Sequence, residues 1–310
     1  MPHSRMVELI RRPFRRALFS PREAVRPSLK WLVISNCQTV GLANCLSLLM
    51  PQARVDACNL WQLRKRAKHW RARLGDYDHL FFAPEVKAFG LPDLEGLNHI
   101  TWVPSVIFGG FHPDLCYIQS AKGVLKGPLD DYHSLIAITA YKQGLSPAKT
   151  ASLFRQEVFQ RIGYFDVWSA QRAQLLADFS AFDWDMREAF LRWVRGGVFM
   201  HSPNHPHIDV LFDQARMVVE KVQGKAWDGG FLPHDNLASG PAFPVFPEIA
   251  ERLGMMGGAY LFKPMDEYRL LDLEGFLEGC FAIYARFDKA TLTPLSACTE
   301  SAARVIAEEA

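Results

Sequence analysis

The chain has 310 residues, 49% of them hydrophobic and 12% aromatic, with a formal net charge of +2. That is ample for a packed core, at a length suited to one large domain or one domain with a helical elaboration. The near-neutral balance, with basic residues not interleaved with aromatics on one face, carries no nucleic-acid signal. No stretch approaches the ~20 apolar residues of a membrane span.

Residues 1–29 form a basic arm centred on Arg11-Arg12-Pro13-Phe14-Arg15-Arg16. The arginine pair invites an export reading, but Ser20-Pro21-Arg22-Glu23 interrupts before any apolar run. The arm reads as a disordered leader or as a peripheral contact to anionic lipid at the inner membrane. Residues 30–310 then read as a single α/β domain. Strands are expected at Trp31–Ile34, Ala53–Ala57, His79–Ala83 and His99–Val103, with helices at Thr39–Met50 and Leu60–Leu74 between them. This alternation implies βαβ units, a parallel sheet and helices on its faces. A helical middle, about 146–223, carries helices at Pro147–Ile162, Ser169–Phe179, Trp184–Val194 and His207–Val222, with Ser146 as a cap. The tail, 229–310, is rich in Gly and Pro and turns helical between Glu274 and Arg286.

Cys37 lies in Ser35-Asn36-Cys37-Gln38, the turn between the first strand and the first helix. Ligands of such sheets bind at the carboxyl ends of the strands. Backbone N–H groups at a helix start lower a thiol's pKa, so Cys37 is a nucleophile candidate. Cys45, Cys58, Cys116, Cys280 and Cys298 fit the role of small apolar fillers. None forms a CxxC pair or a zinc-type spacing, so no metal is expected. The cysteine usage and the missing signal peptide favour a reducing, cytoplasmic setting.

Histidine is the natural base for a cysteine nucleophile. Three of the ten lie in loops that a scaffold could present: His112 in Gly109-Gly110-Phe111-His112-Pro113-Asp114, His133 in Asp131-Tyr132-His133-Ser134, and His205 in Asn204-His205-Pro206. His205 is the first choice as partner of Cys37, since the following proline restricts its backbone and Asn204 can hydrogen-bond nearby. His112 is the second. Asp114 and Asp209 are candidates to orient an imidazole, and equally a turn residue and a first-turn acid of a helix.

These blocks, together with Pro104-Ser105 and with Tyr141 and Gly144-Leu145-Ser146, occur in the order seen in WcbI-type polysaccharide biosynthesis proteins, which the chain resembles over residues 30 to 220. The resemblance implies a CoA-binding O-acetyltransferase that uses acetyl-CoA to modify a sugar hydroxyl in capsular or surface polysaccharide biosynthesis. It also implies an α/β core similar to SGNH-type hydrolases (Rossmann-like, with a parallel sheet) plus additional helices. Its cysteine and glutamine map onto Cys37 and Gln38, and its histidine-proline blocks onto His112-Pro113 and His205-Pro206. The implied catalytic set is Cys37, His205 and Gln38. The implied CoA contacts are Ser35, Asn36, Gln38, Phe111, His112, Tyr132, His133, Ser134 and Asn204. The chain departs at Ser35, where the family usually carries glycine.

The chemistry is compatible with acyl transfer through Cys37, with His205 moving the proton and the Gln38 or Asn36 amide stabilising the oxyanion. Direct transfer, with His205 or His112 as base, is equally open. The CoA phosphates are expected at Arg64, Lys65, Arg66 and Lys68, or at Lys122 and Lys126. A thiol esterase of SGNH-like type and a non-catalytic CoA- or sugar-binding scaffold are the alternatives.

Overall fold

The computed structural model describes residues 27–310 apart from 90–93, 98, 228, 256 and 257. Most of the basic arm therefore lies outside the described residues. Strand β1 (Leu29–Ser35) holds the centre of the fold because Trp31, Leu32, Val33 and Ile34 are all fully buried. A continuous apolar run of this kind suits a parallel strand covered on both faces. Its period of two divides the run. Trp31 and Val33 join one core with helix α1 (Thr39–Leu49), while Leu32 and Ile34 join another beneath helix α2 (Leu60–Lys65).

Strand β1 pairs in parallel with β2 (Ala53–Asn59) on one side and β3 (His79–Phe82) on the other. Strand β4 (Ile100–Trp102) completes a four-stranded parallel sheet of order β2-β1-β3-β4. The expected parallel sheet is therefore present, and Val33 sits between Ala57 and Phe81 in its register. All four carboxyl ends lie on one edge of the sheet.

The expected Leu60–Leu74 helix is broken. Arg66 leaves helical geometry (φ −130°, ψ 37°), and helix α3 (Ala67–Arg71) buries no side chain. The apolar spacing of Leu63, Ala67, Trp70 and Leu74 continues past the break, and Trp70 and Leu74 still pack on the core of Leu32 and Ile34, so the stripe survives while the helix does not. A second, antiparallel group, absent from the sequence reading, consists of β5 (Leu115–Ser120), β6 (Gly123–Val124) and β7 (His133–Ser134).

Helix α4 (Leu135–Gln143) starts where Ser134 accepts the Ala137 N–H and stops at Gly144, whose φ of 85° suits a left-handed cap. The Pro147–Ile162 expectation resolves into α5 (Pro147–Ala151), capped by Ser146 as expected, and α6 (Gln156–Ile162). Helices α7 (Tyr164–Ser180) and α8 (Arg187–Arg195) follow. α8 begins later than expected because buried Trp184 turns to donate its indole N–H to the Trp102 carbonyl at 2.8 Å.

The hairpin β8 (Met200–Ser202) and β9 (His205–Pro206) leads into α9 (Ile208–Gln223), which packs on α1. The tail adds α10 (Pro247–Arg252), α11 (Leu273–Tyr284), β10 (Thr293–Leu295) and α12 (Thr299–Glu309). It is no loose appendage: α11 and α12 pack on α4, and β10 pairs with β5. Among the described residues no helix is long and apolar enough to cross a membrane.

Phe81 is 1% exposed and meets Trp31 edge-on at 5.1 Å. Phe81→Ala is expected to lower unfolding free energy by about 3–5 kcal/mol, the usual cost of a Phe cavity in a core. Urea titration at fixed pH checks this, and a loss below about 1 kcal/mol would mean that the sheet collapses to fill the space.

Candidate functional site

The β1–α1 turn is built by its own side chains. The Asn36 carboxamide oxygen accepts the Gln38 N–H at 3.0 Å, and the Thr39 hydroxyl donates to the Asn36 carbonyl at 2.6 Å. The Asn36 amide donates to Ser105 Oγ at 2.9 Å, and Ser35 Oγ meets the same hydroxyl at 3.3 Å. The turn is thereby fixed to the loop after β4. Serine in place of glycine at position 35 adds a polar contact to that loop.

Gln38 is 2% exposed, and its whole amide is engaged. Nε2 donates to the Val106 carbonyl at 2.8 Å and the Asn204 carbonyl at 3.0 Å, and Oε1 accepts the Val106 N–H at 3.0 Å. An amide nitrogen has two protons, and both are taken. This corrects the expectation that Gln38 stabilises an oxyanion. Gln38 is a clip that joins the thiol turn, the loop after β4 and the β8–β9 hairpin. Asn36 keeps one amide proton beyond its bond to Ser105 and stays half-buried, so it is the side-chain donor left for a developing negative charge.

Cys37 is exposed, whereas Cys45, Cys58, Cys116 and Cys280 are buried and Cys298 is half-buried; all six are free thiols. The Cys37 thiol donates to the Asn204 carbonyl at 3.6 Å and, more weakly, to Asn36 Oδ1 at 3.8 Å. Although the side chain reaches the surface, protein encloses the sulfur from within. That desolvation raises the thiol to about 11, against the pull of the Cys37 and Gln38 backbone N–H groups, and the Glu85 carboxylate adds to the rise. The expected helix-start effect is real but loses to burial, so the thiol is protonated at neutral pH.

Asn204 is the far wall. Its side-chain oxygen accepts the Tyr132 hydroxyl at 2.6 Å, and Ser202 Oγ donates to that hydroxyl at 3.0 Å. Tyr117 packs edge-on against Tyr132 at 5.8 Å. His205 lies 6.0 Å from the Tyr132 ring, with Nδ1 buried and unpartnered. Among the described residues, the hydrogen-bond partners of Cys37 are Asn36 and Asn204 rather than the His205 imidazole. Burial lowers His205 to about 4, so its ring is neutral at pH 7.

Other expected site residues lie away from this turn. His133 is fully enclosed, its nitrogens bonded to the Tyr284 hydroxyl and the Leu125 carbonyl, both at 3.1 Å. Ser134 is the buried cap of α4. Of that block only Tyr132 reaches the site. His112 is 3% exposed between Phe111 and Phe243, its nitrogens without hydrogen bonds and the Phe243 backbone nearby but misaligned. Phe111 is buried beside it in the core.

Asp114 orients no imidazole. It accepts the Ile136 N–H at 2.9 Å and the Tyr164 hydroxyl at 2.7 Å at the start of α4. Asp209 stands in the first turn of α9. The carboxylate that does hold a histidine is Asp235. It meets His201 Nε2 at 3.0 Å and also accepts the Ile208 N–H at 3.1 Å. The sequence signal for Asp235 is the Asp-Asn pair before Leu237, a helix-cap pattern, which says nothing of the histidine it also holds. Lys126 is held by Asp130 and Asp131, each at 2.8 Å, whereas Arg64, Lys65, Arg66 and Lys68 are exposed beyond the carboxyl end of β2. Among the described residues no His, Cys, Asp and Glu cluster could hold a metal.

The family model of the polysaccharide biosynthesis enzyme WcbI matches residues 30–226, well over half of the chain. The chain belongs to the WcbI family. Its members are polysaccharide biosynthesis enzymes, and the match takes in Cys37, Asn204 and His205. A solved structure described as WcbI, a novel polysaccharide biosynthesis enzyme, in a native form without a disulfide between CoA and one of its cysteines, is similar in fold. The TM-score is 0.65 at 15% identity, over 90% of this chain and 95% of that one. No curated protein matches.

Two predictions follow from the burial of these groups. Gln38→Leu leaves the Val106 and Asn204 backbone groups unpaired and is expected to cost about 2–4 kcal/mol by urea titration, at ~1–3 kcal/mol for each buried unpaired group. A loss under about 0.5 kcal/mol would show that water replaces the clip. Burial lowers His112 to about 3 and His133 to about 4, so below pH 6.5 the unfolded chain takes up protons that the folded chain refuses. Each then removes about 1.4 kcal/mol per pH unit. Asp114, raised to about 6 by burial, acts in the opposite sense between about 4 and 6, but one carboxyl is outweighed, the more so because burial also lowers His79 and His205 to about 4. Stability is expected to fall by about 4–6 kcal/mol from pH 7 to pH 5, and His112→Phe to reduce that slope. Stability that is flat or rising toward pH 5 would refute the account.

Proposed function

We propose that the protein is a CoA-dependent O-acetyltransferase that acts on a sugar hydroxyl of a capsular or surface polysaccharide precursor, and that the reaction is centred on Cys37. The observation that carries this reading is the exposed thiol at the carboxyl edge of the parallel sheet, bonded to Asn204 and fenced by Asn36, Ser105 and Tyr132. The family supplies the polysaccharide, and the solved relative is described with reference to CoA and a cysteine. With Cys37 in that cysteine's place, the CoA thiol lies against the β1–α1 turn. In this reading the sheet is the core of an SGNH-like arrangement, with the nucleophile directly after the first strand. The reducing cytoplasm keeps the thiol free, and the basic arm gives a peripheral contact to the inner membrane.

In the covalent scheme Cys37 Sγ attacks the acetyl thioester carbonyl. Its proton passes to the departing CoA sulfur as the old carbon–sulfur bond breaks. The Asn36 amide and the Cys37 N–H face the developing oxyanion. A sugar hydroxyl then attacks acetyl-Cys37, gives its proton to neutral His205, and frees the thiolate. A thiol near 11 is a strong nucleophile once ionised but a poor leaving group, and it is seldom ionised at pH 7. In the direct scheme the sugar oxygen attacks acetyl-CoA itself, its proton passing to His205 and the CoA thiolate departing, while Cys37 positions the thioester; burial that lowers His205 to about 4 makes it a weak base in either scheme. Gln38 positions the turn in both schemes.

Intact mass after incubation with acetyl-CoA separates them. The covalent scheme predicts a gain of about 42 Da on Cys37 and at least a ~10²-fold loss of activity in Cys37→Ser, as for other nucleophile replacements. The direct scheme predicts no adduct, a Cys37→Ala variant within ~10-fold of wild type, and loss of activity in His205→Ala. Absence of saturable CoA and acetyl-CoA binding by calorimetry would remove both.

A further inference from the structure

A cavity of mixed apolar and cationic lining lies away from the thiol turn. Its volume is about 750 Å³, and its walls include Phe111, Trp168, Arg195, Gly197, Arg252 and Gly254. That is within the ~300–1,000 Å³ of small-molecule sites. No acidic side chain lines it. Among the described residues neither Arg195 nor Arg252 is held in an ion pair, whereas neighbouring Arg192 is held by Asp213 at 2.8 Å. Arg252 instead lies over the Phe165 ring at 5.8 Å, which steadies the guanidinium without neutralising it. Two unneutralised guanidiniums at one cavity suit a phosphate, whose oxygens accept bidentate hydrogen bonds from each.

The aromatic wall supplies the second half. Trp168 is half-buried, fixed edge-on at 5.8 Å from Phe108 and 5.6 Å from Phe190, and turns its remaining surface to the cavity. A pinned indole is a platform for a flat ring, and stacking of a base on an aromatic side chain contributes about 1–3 kcal/mol. Gly197 and Gly254 have φ of +104° and +65°, and a Cβ at either would point into open space. Larger residues are therefore kept from the rim by backbone conformation.

We propose that this cavity binds a nucleotide, with its phosphates between Arg195 and Arg252 and its base on Trp168. The cavity is tied to the thiol turn by a short stretch of chain. Ser105 and Val106 bond the turn, and Phe111 lines the cavity. Six residues span at most ~20 Å, so one extended ligand can touch both places. Two nucleotides suit this chemistry: the adenine nucleotide of the thioester donor and the nucleoside diphosphate of an activated sugar. The donor source rests on the acyl-transfer reading and the activated-sugar source goes beyond it; occupancy of the cavity depends in neither case on Cys37 being reactive.

The test is calorimetric titration of the full chain and of Arg195→Ala/Arg252→Ala with adenosine 3′,5′-bisphosphate, CoA and UDP. Both substitutions fall on exposed side chains outside the thiol turn, and circular dichroism confirms that the variant is folded. The wild type is expected to bind at least one probe, and the double variant to bind that probe at least ~10-fold more weakly, while Cys37→Ala binds the two thiol-free probes as wild type does. Weakened binding of the bisphosphate and CoA names the donor as the source; weakened binding of UDP names the activated sugar. Equal affinities in wild type and double variant for every probe, or no binding of any probe by the wild type at millimolar concentration, overturns the proposal.

Discussion

The carboxamide of Gln38 is the interaction on which the site depends. Three pieces of chain far apart in sequence meet on one buried side chain: the turn after β1, the loop after β4 and the hairpin that carries Asn204. Each bond contributes about 1 kcal/mol net, but leaving its partners unpaired costs more, so the arrangement holds all three pieces or none. The position of the Cys37 thiol follows from it, because the carbonyl that accepts the thiol proton is one that Gln38 also holds.

The electrostatics are dominated by exclusion of water rather than by paired charges. Cys37 is pushed toward its protonated form and His205 toward its neutral form, each chiefly by burial, and the buried His112 and His133 away from the turn behave alike. The thiol turn is ringed by hydroxyls and amides from Asn36, Ser105, Tyr132, Ser202 and Asn204, with the Glu85 carboxylate the charge that acts on the thiol. Such a lining suits a neutral substrate with hydroxyl groups better than an ionic one. Charge is concentrated elsewhere, on arginines that stand open around the second cavity.

The parallel sheet was legible because Trp31–Ile34 and His79–Phe82 are short apolar runs that only a doubly covered strand explains. The location of Cys37 was legible for the same reason, as the residue after such a strand. The antiparallel group around β5 was not, since Leu115–Ser120 pairs with partners of two or three residues whose pattern is too short to show a period. Helix breaks at Arg66 and after Ala151 were hidden because the apolar spacing runs on through both, with Trp70 and Leu74 past the first and Leu153 and Phe154 past the second still buried or packed on a core. Within the site, Gln38 was singled out by position but its role was not readable, because that depends on Val106 and Asn204 arriving from elsewhere. His133 and Ser134 share a tripeptide with Tyr132 yet face a different core, which spacing alone does not reveal.

Asp235 carries a consequence for where the molecule can be divided. The family match ends at residue 226, before the carboxylate that holds His201 and the first turn of α9. A fragment cut at that boundary would keep Cys37, Asn204 and His205 while losing the anchor of the hairpin on which two of them ride. The minimal autonomous unit is therefore longer than the recognisable one, and the tail is a structural brace for the hairpin as well as for α4 and β5.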